Sequence, residues 1–407
     1  MRAKNLKCKE CARETVLEAN YFCEQCFGPL EVSYDFSDLD AGQARRRIEY
    51  GSSGIWRYAD FLPCRMPAEN PLEPGMTPLI KADRLAAMIG STAEIWIKND
   101  AANPTHSFKD RVVAVAIARA HELGYETVAC ASTGNLANAV AAQAAAAGLE
   151  SFIFVPDDLE EEKLLATDIY GANLVGVRGN YDDANRLCTQ LADQRPWAFV
   201  NVNLRPYYAE GSKTLAYETV EQLDWILPDQ VVCPIASGSL FSQLGRGFEE
   251  WIELKLVKGV LPVFNGAQAA GCSPVAAAFA EGSRVCRPQK PKTIAKSLAI
   301  GDPADGPYAL ELARRTGGGV DSVNDEEIRA GIRLLAETTG IFTETAGGVT
   351  VAVLSKLAER GRFRPGERVV AYITGDGLKT VDANRDSFFL NLIDANPESF
   401  QARFGSS

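Results

Sequence analysis

Histidine is scarce in this chain: the 407 residues contain two, His106 and His121. That count all but excludes a histidine-rich metal centre working beside a histidine base, so proton transfer falls to lysine or to carboxylates. Long apolar runs are missing as well. No stretch reaches the roughly 18 apolar residues of a membrane-spanning helix. Met1 is followed by Arg2, Lys4, Lys7 and Lys9, without the apolar segment of a secretory signal. A soluble, cytoplasmic protein is expected. There is no excess of positive charge either: the formal net charge is -11, with acids and bases mixed along the chain. Nucleic acid and anionic membranes are therefore not expected partners.

Cysteine is not scarce. Ten are present, a number that in a small secreted domain would mean disulfides but in a cytoplasmic protein of this length points to metal binding or burial. Six of them, from Cys64 to Cys286, sit among apolar neighbours and read as core thiols. The other four form two knuckles, Cys8-Lys-Glu-Cys11 and Cys23-Glu-Gln-Cys26. Each CxxC sets two sulfurs on one side of a turn, and a short hairpin can bring two such turns around one tetrahedral Zn2+. A ribbon that lacks metal, or is closed by disulfides, fits the same spacing. Four sulfur ligands leave no open position, so such an ion would be structural.

Residues 1–34 are thus a zinc-ribbon-like unit. Residues 35–74 are polar and irregular, with Arg45-Arg46-Arg47, Gly51-Ser52-Ser53-Gly54 and several prolines, and read as a connecting arm. From residue 75, short valine- and isoleucine-rich runs alternate with stretches at helical spacing, the pattern of an α/β protein whose sheet is covered on both faces. Expected strands include Val128–Ala131, Phe152–Val155, Leu174–Val177, Phe199–Val202, Val231–Ile235, Val263–Ala267 and Val369–Thr374. Leu136–Ala147 is an alanine-rich helix stopped by Gly148.

Four segments carry chemistry. In Asn103-Pro-Thr-His-Ser-Phe-Lys109-Asp-Arg111 a turn and a capping serine precede a lysine in the first turn of a helix. The helix N-terminus disfavours the ammonium form, which suits an amine that must lose its proton to react. In isolation such a lysine reads as a solvated charge. Cys130-Ala-Ser132-Thr133-Gly134-Asn135 ends a strand and opens a helix, so its amides and hydroxyls can cradle a carboxylate or can simply cap that helix. Pro234-Ile-Ala-Ser237-Gly238-Ser239-Leu240 does the same with residues small enough to admit a phosphate. Ile373-Thr374-Gly-Asp376-Gly-Leu-Lys379 places a hydroxyl at a fourth strand end. Ligands of open α/β sheets bind at these carboxyl ends.

Together these segments resemble the fold type II pyridoxal-phosphate enzymes, from Thr77-Pro-Leu79 to Leu378-Lys379. Glu210-Gly-Ser-Lys-Thr214, Thr293-Ile-Ala-Lys-Ser297 and Gly301-Asp-Pro303 make the likeness one to the threonine synthases, some of which carry an N-terminal ribbon. The resemblance implies two open α/β domains, a large cofactor domain (75–110 and 212–390) and a small one (111–211). It implies that Lys109 carries pyridoxal 5'-phosphate and then acts as base. Phe108, Asn135, Ser237, Gly238, Ser239, Leu240 and Thr374 would bind the cofactor, with Asn135 at its phenolic oxygen, the serine loop at its phosphate and Thr374 at its ring nitrogen. Ser132, Thr133 and Gly134 would hold the substrate carboxylate. Arg111, Arg205 and Lys213 are the cations available to a substrate phosphate. The implied substrate is O-phospho-L-homoserine, the product L-threonine and the assembly a homodimer. Two features depart from the pattern: Asp376 stands where a histidine is common, and the serine loop is poor in glycine. A β-replacing synthase or a threonine or serine deaminase of the same fold remains open, although no regulatory domain is visible after about Asp382.

Overall fold

The alternation of apolar and polar residues in Lys4–Cys8 and Leu30–Tyr34 gives two strands with one buried face each. In the computed structural model, which describes residues 2–68, 72–132, 134–157, 161–179, 181–387 and 389–405, they are β1 (Ala3–Cys8) and β3 (Leu30–Tyr34). With β2 (Glu14–Thr15) they form a small antiparallel sheet in the order β2-β1-β3. Leu6, Cys8, Leu30 and Val32 share an apolar cluster with Val112, Val113, Ala116 and Tyr207, so the ribbon lies on the body of its own chain.

Residues 35–74 differ from the irregular arm expected. Asp40 caps the N–H of Gln43 at 2.7 Å and starts the helix Ala41–Glu49. Its Ala44 and Ile48, spaced i,i+4, turn inward, and Tyr58 and Phe61 follow them into a core centred on Trp251 and the stacked Tyr217. The arginine triplet occupies the outward positions and masks this short amphipathic pattern in the sequence.

The body contains two sheets. β4 (Leu79–Lys81) and β5 (Glu94–Asn99) belong to the larger one. β6 (Thr127–Ala131), β7 (Glu150–Pro156), β8 (Asn173–Val177) and β9 (Ala198–Phe199) form the smaller, in the order β8-β7-β6-β9. The chain then returns to the larger sheet with β10 (Gln230–Pro234), β11 (Val263–Ala269), β12 (Gly319–Val323) and β13 (Arg368–Ile373). Its order is β12-β11-β10-β13-β5-β4, parallel except for β4. Every residue of β6 and of β10 is buried, as expected for parallel strands covered by helices on both faces. Among the described residues no helix is long and apolar enough to cross a membrane.

A buried ionic cluster ties the helix Lys109–Glu122 to the larger sheet. The Arg111 guanidinium, with no exposed surface, donates to Asp100 at 2.7 and 2.9 Å and to both oxygens of Glu218 at 2.8 Å. Lys98 of β5 pairs with Glu218 as well and donates to the Thr77 carbonyl at 2.6 Å. Burial alone would push the Glu218 carboxyl up; the adjoining Arg111 and Lys98 overcome this and hold it far below the usual carboxylate range. Removing one member of such a cluster strands its partners without solvent. Arg111→Met is therefore expected to cost about 3–5 kcal/mol in denaturant unfolding, and a loss below ~1 kcal/mol would show that the cluster is dispensable.

Candidate active site

The loops that follow β5 and β13 are zipped together by their backbones. The Phe108 N–H donates to the Thr374 carbonyl at 2.9 Å, the Asp376 N–H to the His106 carbonyl at 3.1 Å, and Ser107 bridges to Gly375. Inside the first loop, the Thr105 N–H and hydroxyl donate to Asp110 at 2.8 and 2.9 Å, folding the turn that delivers Lys109 to the first position of its helix. No side chain caps this helix start, so its amide dipoles act on the lysine directly. Nζ of Lys109 donates to the Tyr208 hydroxyl at 2.7 Å and stands 4.7 Å from the Phe108 ring centroid.

Opposite this amine the structure brings together Asn135 and Thr374 through a residue that sequence reasoning missed. Glu344, buried at the start of the helix Thr345–Glu359, accepts from Asn135 Nδ2 at 2.9 Å and from the Thr374 hydroxyl at 3.3 Å. Burial raises its carboxyl above the ordinary range, against the opposing pull of Asn135, Lys379, Thr374 and Lys109. Its one faint signal in the sequence is a carboxylate directly ahead of the small residues Thr345-Ala-Gly-Gly348 that let a helix approach closely. Asp376, the acid singled out in the sequence, instead accepts the Leu378 N–H at 2.8 Å within its own turn. Tyr208 had no signal at all, since nothing in Arg205-Pro-Tyr-Tyr208 distinguishes one tyrosine from the other.

Ser237, Gly238 and Ser239 follow β10, the parallel neighbour of β13, and open the 15-residue helix Ser239–Glu253. Gly238 has φ 96°, and a Cβ there would lie 2.7 Å from the Asp305 carbonyl oxygen, so glycine is required to bring the backbone this close. Leu240 is buried in the core behind the loop. On the other sheet, the Ser132 hydroxyl accepts the N–H groups of Gly134 and Ala137 at 3.3 and 3.1 Å, capping the helix Asn135–Ala146. A side chain at Gly134 would meet nothing within 4 Å. Thr133 lies outside the described residues.

The three cations expected at a substrate phosphate are placed differently. Arg205 is partly exposed and donates to Asp305 at 2.7 Å, beside the serine loop. Arg111 and Lys213 are not brought to the opening. Arg111 is enclosed in its cluster with Asp100 and Glu218, and Lys213, fully buried, binds Glu210 at 2.7 Å and Glu250 at 2.9 Å. Desolvation and these carboxylates leave neither cation a free donor. In the ribbon, the ligand atoms of Cys8, Cys11, Cys23 and Cys26 lie within 4.8 Å of one another. The 8–26 and 11–23 sulfurs are 3.4 and 3.7 Å apart, near the edge length of about 3.8 Å set by Zn–S bonds of about 2.3 Å. Backbone N–H groups of Cys26 and Gln25 lower the Cys23 thiol to about 7, whereas Cys26, despite a backbone bond from Gly28, is pushed up by the Cys11 and Cys8 sulfurs, so the cluster shares its protons unevenly until a metal displaces them.

Asp110 allows a pH test of the turn that holds Lys109. Burial lifts its carboxyl from 3.8 to about 6 despite the bonds from Thr105. With the folded value above the unfolded one, its contribution to stability is favourable at low pH and is lost as pH rises through about 6. A shift of this size amounts to roughly 3 kcal/mol at full titration. Asp110→Asn removes the titration, so the melting temperature of the variant relative to the parent is expected to climb between about pH 4 and pH 6 and to level off above. A difference that stays flat would mean that Asp110 keeps an ordinary acidity.

Comparison with known proteins agrees with this geometry. A family model described as pyridoxal-phosphate dependent enzyme matches residues 71–375. The threonine synthase of Methanocaldococcus jannaschii is 38% identical over 381 residues, covering 93% of each chain. That of Methanosarcina acetivorans is 36% identical over 411 residues, covering 99% of each. Among solved structures, the processed form of threonine deaminase isoform 2 from Solanum lycopersicum superposes with a TM-score of 0.65 at 19% identity, over 95% of this chain and 96% of that one, a likeness of fold alone. The strand-end loops, the amine at a helix start and these relatives converge: the chain belongs to the pyridoxal-phosphate dependent enzymes and, within them, to the threonine synthase family.

Proposed function

We propose that the chain converts O-phospho-L-homoserine and water into L-threonine and inorganic phosphate, with Lys109 as the residue that carries the cofactor and moves the protons. The observation that carries this reading is the convergence of the Lys109 amine with Asn135, Glu344 and Thr374 where the zipped loops meet. When bound, pyridoxal phosphate supplies an electron sink that acidifies the carbons next to the substrate nitrogen.

The chain's own groups fit that cofactor. The Ser237-Gly238-Ser239 amides at a helix N-terminus, with Gly238 leaving the backbone accessible, suit its phosphate. Leu240 and Phe108 supply apolar support, Asn135 Nδ2 is a donor for the phenolic oxygen, and the Thr374 hydroxyl is a neutral partner for the ring nitrogen. Ser132, Thr133 and Gly134 would hold the substrate carboxylate, for which the helix that follows Gly134 offers its N-terminus. Arg205 is the cation of the three with solvent access and is assigned to the substrate phosphate, for which a guanidinium is well shaped. Lys109, at its helix start, is the amine assigned to accept a proton from the α carbon and then from the β carbon. Zn2+ in the four-cysteine cluster would be structural, holding a ribbon too small to have its own core. A cytoplasmic homodimer completes the proposal, with Phe389, Leu390 and Leu392 exposed near the C-terminus as surface for a second copy.

Purified protein, with the mass of two chains in light scattering, is expected to absorb as a Schiff base and to release phosphate and threonine in equal amounts from O-phosphohomoserine. Absorbance without threonine would overturn the substrate, and absorbance that survives Lys109→Ala would overturn the attachment site. For the metal, Cys8→Ser is expected to lose most of the bound zinc by elemental analysis and to lower the melting temperature; an unchanged zinc content removes the ion from the ribbon.

A further inference from the structure

We propose that Tyr208 is a positioning residue for Lys109 and the group through which Lys109 hands on the proton it has taken. The inference rests on the reading of Lys109 as the reactive amine. Its geometric basis is the 2.7 Å contact between Lys109 Nζ and the Tyr208 hydroxyl, with the tyrosine ring centroid 5.4 Å from the same nitrogen.

The helix Arg205–Gly211 that presents Tyr208 is held more firmly than a seven-residue helix holds itself. A Cβ on Gly211 would stand 2.5 Å from the Arg111 carbonyl oxygen and 2.6 Å from Val112 Cα, so the absence of a side chain sets how closely this helix meets the one that begins at Lys109. Tyr207 is buried and donates to the Glu18 carbonyl at 2.8 Å. Glu210, also buried, binds the Tyr34 hydroxyl at 2.5 Å, Lys213 at 2.7 Å and Arg246 at 2.9 Å. These flanking residues fix the backbone, while the Tyr208 hydroxyl has Lys109 as its hydrogen-bond partner. Tyr208 itself is only half-buried, and its bond to Lys109 is partly buried too, so the proton exit assigned to it calls for a water at the hydroxyl.

The partner's chemistry matters because Lys109 must exist in two protonation states. A carboxylate in that position would favour the ammonium, and a guanidinium would oppose it. A phenol accepts from an ammonium and donates to a neutral amine by turning one proton. The other charged groups near Lys109 are engaged elsewhere: Asp110, on its own helix, with Thr105; Glu344 with Asn135 and Thr374; Lys379 with Asn138 at 2.9 Å. When the amine removes the α-carbon proton, an N–H bond forms as the C–H bond breaks, and the electron pair stays on the substrate. One ammonium proton then passes to the Tyr208 oxygen while the phenolic proton leaves to water. Both groups return to their starting forms, and Lys109 can take the second proton, from the β carbon.

Tyr208→Phe separates this role from simple packing. Loss of the hydroxyl takes an acceptor from the ammonium, the form with the stronger hydrogen bond, so the neutral amine becomes more populated. In the cofactor-free protein, acetylation of Lys109 at one fixed neutral pH, located by mass spectrometry, is expected to run faster than in the parent. Threonine formation should nonetheless slow by about tenfold to hundredfold in kcat, with KM and cofactor content changed by less than about twofold. An amine that is more reactive in a slower enzyme is the signature of a lost proton outlet. Turnover within about twofold of the parent overturns the proposal. If the variant fails to fold or to hold cofactor, 3-fluorotyrosine at position 208 keeps the shape and makes the phenol more acidic; the pH profile of kcat should then move to lower pH, and an unmoved profile overturns it. If the parent makes no threonine, the substrate reading has failed, and the acetylation of Lys109 still decides for or against Tyr208.

Discussion

A guanidinium without access to water governs the geometry around Lys109. Arg111 lies two residues beyond the reactive amine and is bound to Asp100 and Glu218, which belong to the segment after β5 and to the helix Lys213–Gln222. Desolvating so many charges is costly, and the cluster is tolerable because Arg111, Lys98 and Thr77 satisfy the carboxylates from several sides. Such a cluster has few alternative arrangements, since any displaced member leaves a bare charge in the interior. The helix start therefore cannot slide, and neither can the amine it presents.

The same helix is held from its other side by the ribbon and by Arg205–Gly211. Leu6, Leu30 and Val32 share a core with Val112, Val113 and Ala116, and Arg119 and Tyr207 donate to backbone carbonyls of the ribbon. The four cysteines thus belong to a unit that packs on the two helices carrying Lys109 and Tyr208. A metal that organises the ribbon would contribute to the site through packing, with no ligand directed at substrate. Glu344 does the corresponding work across the opening, where one carboxylate joins the amide of Asn135, after β6, to the hydroxyl of Thr374, after β13. Residues from the two sheets are thereby brought into one network.

Much of the fold was legible. The valine- and isoleucine-rich runs became β6, β7, β8, β10, β11 and β13 with ends shifted by at most two residues, and the alanine-rich helix begins at Asn135, one residue earlier than expected. The run Phe199–Val202 shortened to the two residues of β9, because an edge strand here pairs only through Val128 and Ala129 of β6. Residues 35–74 read as irregular because Arg45, Arg46 and Arg47 outweigh two inward positions in any short window. Whether a cation is free or enclosed is invisible in sequence: Arg111, Arg205 and Lys213 all stood in suitable contexts, and burial separated them.

By itself the sequence determined the order of strands and helices, the four-sulfur cluster, the lysine at a helix start and the loops at strand ends, since each is written in local composition and spacing. Tertiary structure alone decided which groups face the amine. Glu344 is 235 residues from Lys109 in the chain and Tyr208 is 99, and no local pattern announces either. Their places follow from close approaches, Gly211 on the Arg111 backbone and the zipped loops after β5 and β13, whose energy comes from packing and desolvation between segments distant in sequence.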